Sequence, residues 1–380
     1  MSESPPTDNS IDLELEKLKI DSESKSVEFS DLTVDVLKVI IEQSQLKERL
    51  ILRKVSRDLR ALVDDQKWIF TDIGFEFDKD HIRVEFNGNH LVYTDPNFDV
   101  REIRKDSCYP DAKVIRSKDY LTVALDDLKF AIHDPTLELN ALRVEFSVSC
   151  GVHRKQFSEE IETILKSLNH QIRTKSFATR PESVDQILAV LPYLEPRTLQ
   201  CIEFRQCRSS WRISDAEFER IAVLDQWKQA KQLNLRYANS MWWQWKHLMH
   251  FEEFYILSCH LDLMDVCQWR DFFSKSKHSI NCQMRTANGF SPLQIQNHVG
   301  DGVPTLMSEQ ISNPMYIVEH PIRDDPNQYL EIAVWSLAYC IVFKKPPKNA
   351  DFFVQNFSEL STIHGDLALE KRNRALVENF

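Results

Sequence analysis

The residues with the most metal-like chemistry are His247-x-x-His250, followed by Cys259, His260 and Cys267. Imidazole and thiolate suit zinc, but structural zinc sites hold their ligands in a few fixed spacings, and this set fits none of them. The stretch Phe251 to Cys259 also has the pattern of a strand, so no metal is expected. No P-loop, G-x-S-x-G or H-E-x-x-H is present, and the many carboxylates show no paired spacing suited to acid–base work. Seven Gly in 380 residues leave little for Gly-rich phosphate loops. The expectation is a non-catalytic chain with no cofactor. An enzyme on an α/β domain is the competing reading, and it requires a deep polar pocket with convergent titratable groups.

Two other residue sets bear on partners. If Met241-Trp242-Trp243-Gln244-Trp245 is helical, its three indoles point at roughly 0°, 100° and 300° around the axis. They cannot all enter one core: one faces outward as a binding anchor, or they fill a groove between repeats. The net charge of −11, from 47 basic and 58 acidic residues, disfavours nucleic acid, whose phosphates need a basic surface. The 8 Cys are scattered with no C-x-x-C, which fits reduced thiols in a cytoplasmic and/or nuclear protein. The longest apolar run, Ile332 to Phe343, has 12 residues against the about 20 needed to span a membrane, so no membrane partner is expected.

These residues must be positioned by a chain that divides by composition. Residues 1–26 are polar, acidic and expected to be disordered, with no signal-peptide character. Residues 27–70 hold two apolar helices, Val34 to Gln43 and Leu46 to Asp64, broken at Ser44-Gln45. Residues 71–118 form a β segment and linker. There Ile73, Phe75 and Phe77 alternate with polar residues, as do Ile82, Val84 and Phe86, and Asn87-Gly88-Asn89 is a hairpin turn. Asp95 to Lys118 reads as the linker.

From 119 to 285 helices alternate with strands. Leu199-Gln-Cys-Ile202-Glu-Phe204-Arg-Gln-Cys207 and Phe251-Glu-Glu-Phe254-Tyr-Ile256-Leu-Ser-Cys259 follow the leucine-rich pattern L-x-x-L-x-L-x-x-N/C. Leu139-x-x-Leu142-x-Val144 and Ala230-x-x-Leu233-x-Leu235 carry its apolar half, and the starts at Ile172 and Ser279 are degenerate. Cys207 and Cys259 fall where a repeat turns inward, so they read as buried small groups. The helix Lys155 to Asn169 carries Ile161, Ile164, Leu165 and Leu168 on one stripe. Residues 286–345 read as a C-terminal extension of the repeat domain and 346–380 as a helical or flexible tail. The expected class is α/β: a helical N-terminal domain, a short β segment, then a divergent leucine-rich-repeat-like strand–helix solenoid. An ordinary α/β domain is the alternative.

On the first helix Asp35, Lys38 and Glu42 share one narrow stripe and apolar residues take most of the rest. So small a segment cannot cover that surface by itself. On the second, Arg49, Arg53, Arg57 and Arg60 form a row that reads equally as a solvated face or as complementary to an acidic partner.

At this point the residues resemble a known family. Phe29-Ser-Asp-Leu32-Thr-Val-Asp-Val36-Leu37-Lys-Val-Ile40-Ile41 resembles the start of an F-box, and Leu50-Ile-Leu52-Arg-Lys-Val55-Ser-Arg-Asp-Leu59-Arg its second half. The nematode F-box family with a C-terminal FTH domain fits better still. Leu52 to Ser56 followed by Val63 to Asp65 is similar to its pattern. So are Ile164 to Ile172, Ile187 to Leu194 and Leu224 to Lys231, within a resemblance covering Tyr120 to Met284. Thr33 stands where an F-box usually has Pro, and its hydroxyl is expected to cap the helix instead.

The resemblance implies a substrate-recruiting adaptor of a Skp–cullin–F-box ubiquitin ligase. The Skp adaptor, and through it cullin, would be met by Leu32, Val36, Leu37, Ile40, Leu46, Leu50, Leu52, Val55 and Leu59, some of which pack the unit itself. The target protein, not named by the sequence, would be held by the C-terminal domain. By strand alternation its candidate contacts are Arg143, Glu203, Arg205, Asn234, Arg236 and Tyr255, with Glu145 in the same row. The alternative function is a repeat-type interaction scaffold without a ligase role.

Overall fold

The computed structural model describes residues 32–66, 68–99, 112–147, 154–205, 214–236, 247–258, 263–275, 280–286, 294, 297–298, 305–308, 315–322, 329–335 and 340–345. The side chains of Arg154, Arg236, Leu257, Ser258, Ile280, residues 284–286 and most residues after 300 lie outside that description, as do Cys207, Cys259, His260 and the Trp242–Trp245 cluster. The chain divides into two compact units, residues 1–68 and 69–380.

Among its described residues the first unit holds three helices: α1 (Val34–Gln43), α2 (Leu46–Leu52) and α3 (Arg57–Asp64). The second helix expected from Leu46 to Asp64 is therefore two. Ser56 breaks it: its backbone is extended and its Oγ accepts the Leu59 N–H at 3.1 Å, which starts α3 afresh. Gln45 and Glu48 form a reciprocal capping box on α2. Ile41, Leu50, Leu59 and Val63 are the buried apolar centre of the unit. Arg53, itself buried, ties α2 to the end of α3 through Asp64, with Nε at 2.6 Å from Oδ1.

Thr33 does not cap α1 through its hydroxyl, contrary to expectation; only its carbonyl is used, accepting the Leu37 N–H. Its φ of −69° is nonetheless the value a proline ring imposes. Thr33→Pro is thus expected to stabilise the unit by about 0.5 kcal/mol, mainly by restricting the unfolded chain. A urea melt of the isolated variant and parent chains measures this, and a loss of stability would contradict it.

Among its described residues the second unit is built on a 14-stranded mixed sheet. It begins with β1 (Asp72–Phe77), β2 (His81–Phe86) and β3 (Asn89–Thr94), an antiparallel meander. Asn87 and Gly88 both take positive φ, 50° and 76°, which a two-residue hairpin turn between twisted strands requires. β4 (Lys113–Arg116) pairs parallel with β3, so the end of the expected linker is a strand.

Next come α4 (Tyr120–Ala131), β5 (Glu138–Phe146), α5 (Arg154–Ser167), β6 (Arg173–Arg180), α6 (Val184–Leu188) and β7 (Cys201–Phe204). They are followed by α7 (Asp215–Ala222), α8 (Asp225–Gln229), β8 (Gln232–Arg236), β9 (Glu253–Ser258), α9 (Leu263–Lys275) and β10 (Ile280–Thr286). Each strand from β5 to β10 pairs in parallel with the next in sequence, and β1 joins the row parallel to β5. All six repeat starts, the degenerate ones included, introduce a strand.

The C-terminal extension departs from that pattern. β11 (Thr305–Ser308), β12 (Met315–Pro321), β13 (Tyr329–Trp335) and β14 (Cys340–Lys345) are antiparallel, and β14 docks on β10. The apolar run Ile332 to Phe343 is thus divided between two strands of one antiparallel pair. Among the described residues no helix is long and apolar enough to cross a membrane.

One face of the sheet holds the core. Phe75, Phe77, Leu142, Val144, Phe146, Phe177, Ile202, Phe204, Leu233, Leu235, Phe254 and Ile256 are all buried on it. Helical aromatics meet these residues: Phe157 of α5 against Phe77 at 5.2 Å, Trp227 of α8 against Phe204 at 6.2 Å, and Trp269 of α9 against Phe254 at 5.7 Å. The alternate residues of the same strands therefore form the opposite face.

Candidate functional site

In the first unit, Leu50 and Leu59 are fully interior, with 0% and 5% exposure, so they hold the helices together and present nothing to a partner. Leu32, Leu37, Ile40, Leu46 and Leu52 are half-buried. Val36 and Val55 are open, at 44% and 64%. Three aliphatics outside the expected set are open as well: Val34, Val39 and Ile51. Five of the eight large apolar side chains exposed among the described residues thus fall within 34–55. Isolated exposed apolar residues are ordinary, whereas five here fall on one small unit.

The arginine row does not survive as a free basic stripe. The break at Ser56 separates Arg49 and Arg53 from Arg57 and Arg60. Arg49 donates to the carbonyls of Ser44 and Glu42 and stacks over Trp68; Arg53 is paired with Asp64; Arg60 Nε donates to the Arg53 carbonyl. Three of the four are committed to fastening their own unit.

On the sheet, the register lines up the candidate target contacts as expected. Arg143 lies opposite Ala178, Ala178 opposite Glu203, Glu203 opposite Asn234, and Asn234 opposite Tyr255. The row is not an open polar surface, however. Glu145 and Glu203 are 4% and 7% exposed. They are covered by arginines. Glu145 receives Arg205 Nη1 at 3.1 Å and Arg180 Nη2 at 3.2 Å, with Arg143 Nε at 3.9 Å, while Glu203 receives Arg205 Nε at 2.7 Å.

The network continues onto strands whose outward residues the sequence patterns did not single out. Arg143 reaches Glu85 on β2 at 2.9 Å, and Glu76 on β1 joins Arg83 at 3.2 Å to Arg180 at 3.8 Å. Their signal was their place between apolar neighbours in β1, β2 and β6, but only the pairing of β1 with β5 brings them to Glu145. Gly74 makes the Arg143–Glu85 contact possible. It lies opposite both residues, and a Cβ there would stand 3.3 Å from Glu85 Cβ and 3.5 Å from Arg143 Nη1.

Burial works against the charge on Arg205, but Glu145 and then Glu203 outweigh it and hold its pKa above the ordinary arginine value. At the far end His81 accepts from Arg83 Nε at 3.1 Å. Burial, then the Arg83 charge, pushes the His81 pKa below its ordinary 6.5, against a weaker pull from Asp78 and Asp80. The folded state therefore prefers neutral His81, and the unfolded chain binds more protons as pH falls. The His81 contribution to stability is present above pH 6.5 and is lost as pH falls through the lower folded value. His81→Gln is expected to flatten the stability profile below pH 6.5, which urea melts across pH 5 to 8 would read as the difference between variant and parent.

Of the residues weighed and set aside as zinc ligands, His247, His250 and Cys267 are among those described. His250 Nε2 faces the Trp227 carbonyl at 2.8 Å, His247 Nε2 lies 3.1 Å from Glu219, and Cys267 Sγ donates to the His298 carbonyl. Among the described residues no group of three or more His, Cys, Asp or Glu is placed to hold a metal ion.

Comparison with known proteins follows the same division. Residues 29–71 match the F-box domain and residues 155–298 match the FTH domain. A curated relative, F-box A protein 224 of Caenorhabditis elegans, is 24% identical over 257 residues, 67% of this chain. The matched region spans 65% of that relative's length.

Proposed function

From a chain that carries an F-box domain followed by an FTH domain, we propose a non-catalytic adaptor that joins a target protein to a Skp–cullin–F-box ubiquitin ligase. The observation that carries this reading is the concentration of exposed aliphatics on the three-helix unit: Val34, Val36, Val39, Ile51 and Val55. A helical groove or helix pair on the Skp-type adaptor would cover that surface and recover the hydrophobic energy left unused, about 25 cal/mol per Å² of apolar area. In this reading the half-buried Leu32, Leu37, Ile40, Leu46 and Leu52 form the rim of the contact. Leu50 and Leu59 shape it from within.

The parallel strands β5 to β10 act as a leucine-rich-like stack, and the sheet face away from the helices receives the target. The ligase partner supplies the ubiquitin chemistry and this chain supplies proximity, in the cytoplasm or nucleus, where scattered cysteines with no C-x-x-C stay reduced.

The direct test is calorimetric titration of the purified full chain with a purified Skp-type adaptor. Saturable binding with a Kd of about 1 μM or tighter is expected, on the order of 8 kcal/mol. A chain that is folded by circular dichroism yet gives no heat at tens of micromolar would leave the interaction scaffold without ligase role as the better reading.

A further inference from the structure

A groove of about 580 Å³ opens in the second unit between α5 and α6. Every residue that lines it falls within the region matching the FTH domain. Four carboxylates line it, those of Glu159, Glu162, Glu182 and Asp185, against two cations, Lys155 and Arg220. Lys166, outside the lining, pairs with Glu162 at 2.7 Å, and the balance stays negative with it included. Lys155 lies 3.7 Å from Glu159 and Arg220 2.9 Å from Asp185. Both pairs stand largely in solvent, and pairs of that kind are weak, so either acid can take a new partner at little cost.

The groove also holds polar groups that the fold leaves unspent. Gln186 is 5% exposed. Its Oε1 accepts the Glu182 backbone N–H at 2.7 Å, which fixes the orientation of the amide, since only the oxygen can accept. Its Nε2 donates to none of the described residues, yet it is not sealed from solvent, so it opens on the groove that Gln186 lines. Ser183 lies on the same lining at the start of α6, and its hydroxyl does not cap that helix. An incoming carbonyl would satisfy the amide donor, and the surrounding acids call for a cation.

Three kinds of occupant bring positive charge, and the lining separates them. Among the described residues no three of its acids are placed to hold a metal ion. A small metabolite is mostly enclosed by apolar and aromatic walls. Here Leu188 and Ala189 are the only apolar lining among the described residues, and the rim side chains of Lys155 and Asp185 are 87% and 75% exposed. Nor is this the deep polar pocket that an enzyme would need. A stretch of chain suits it better, because one side of the stretch can remain in water. A volume within the about 300–1,000 Å³ of ligand pockets admits more than a single side-chain end.

We propose that this groove is a docking site for an exposed Lys- or Arg-bearing segment of a partner protein. A backbone carbonyl of the segment accepts from Gln186 Nε2. The charged end lies among Glu159, Glu162 and Glu182, and its methylene stem runs along Leu188 and Ala189. The site goes beyond the ligase reading and does not depend on it.

The test uses the full chain labelled with ¹⁵N, in which the Gln186 side-chain amide gives its own pair of signals, assigned by their loss in Gln186→Met. The probes are acetyl-Ala-Arg-Ala-amide, its Lys, Gln and Glu counterparts, and methylguanidinium. The Arg and Lys peptides are expected to shift the Gln186 signals saturably, and the Gln and Glu peptides to leave them in place. Glu159→Gln combined with Glu162→Gln keeps side-chain size and removes two charges from positions that water already reaches. That double variant is expected to bind the Arg peptide at least tenfold more weakly. Should Gln186→Met lose its fold, calorimetric titration of the Arg peptide into parent and double Gln variant carries the test.

Unmoved Gln186 signals with the Arg and Lys peptides would overturn the proposal, as would equal shifts with the Gln peptide. Full affinity in the folded double Gln variant would overturn it as well. Methylguanidinium that saturates the groove as tightly as the Arg peptide would make it a site for small cations and remove the docking segment.

Discussion

Replacing Val36 and Val39 together by Asp is expected to abolish the proposed binding of a Skp-type adaptor while leaving the helices intact. On α1, at about 100° per residue, Ile41 marks the buried direction and Val36 and Val39 lie roughly opposite it. They are 44% and 56% exposed in the chain, so a carboxylate there stays in water until a partner covers it. Covering it costs several kcal/mol per unpaired charge, and about 2.8 kcal/mol already weakens binding a hundredfold. Leu32 and Ile40 are less informative positions, because they are half-buried in the unit and an acid there disturbs packing as well as contact. Leu50→Ala, at a position with no exposure, supplies the contrast: it should cost about 2–5 kcal/mol of folding and lose adaptor binding by melting the unit. Calorimetry and helical circular dichroism on the same samples separate the two cases. Full affinity in the folded double Asp variant would place the adaptor surface elsewhere.

Patterns that repeat over short distances were legible in the sequence. Helix α1 begins and ends where its apolar circumference and the Ser44-Gln45 break place it. Strands β5, β7, β8 and β9 lie where the spacing L-x-x-L-x-L places them, with the spaced apolar residues buried. Even the weak starts at Ile172 and Ser279 lead into strands, since neighbours on both sides complete their backbone hydrogen bonds. The break inside Leu46 to Asp64 was missed because apolar periodicity runs across it. Ser56 followed by Asp58 in the first turn was the available signal, an N-cap in mid-pattern.

The ion network was not legible, and the reason is register. Arg143, Glu145, Glu203 and Arg205 could be assigned to one face by alternation alone. That Glu76, Arg83 and Glu85, some 58 to 69 residues earlier, share that face follows only from β1 pairing in parallel with β5, Glu76 opposite Glu145. No local pattern encodes that partnership. The C-terminal strands are a similar case: composition marks Ile332 to Phe343 as buried, but not that it folds back antiparallel onto β10.

Glu145→Ala is expected to destabilise the second unit by about 3 kcal/mol, the low end of the range for breaking a buried ion pair from one side. The carboxylate is 5% exposed and lies among three guanidiniums, those of Arg143, Arg180 and Arg205. Removing it leaves three like charges around a void. Each retains a second partner, Glu85, Glu76 and Glu203 respectively, and each arginine side chain is about a quarter exposed. Those features keep the loss from reaching the upper end of the range. Glu138→Ala is the control. Its carboxylate also pairs with an arginine, Arg173, but its side chain is 60% exposed, and pairs of that kind are worth at most about 1 kcal/mol. Urea melts of both variants, at low and high salt, decide between a buried hub and a surface decoration. The Glu145→Ala deficit should persist in salt, because groups withdrawn from solvent are screened little. If both variants lose the same small amount, and both losses vanish with salt, Glu145 is one more surface acid and the sheet face is held together by its strands alone.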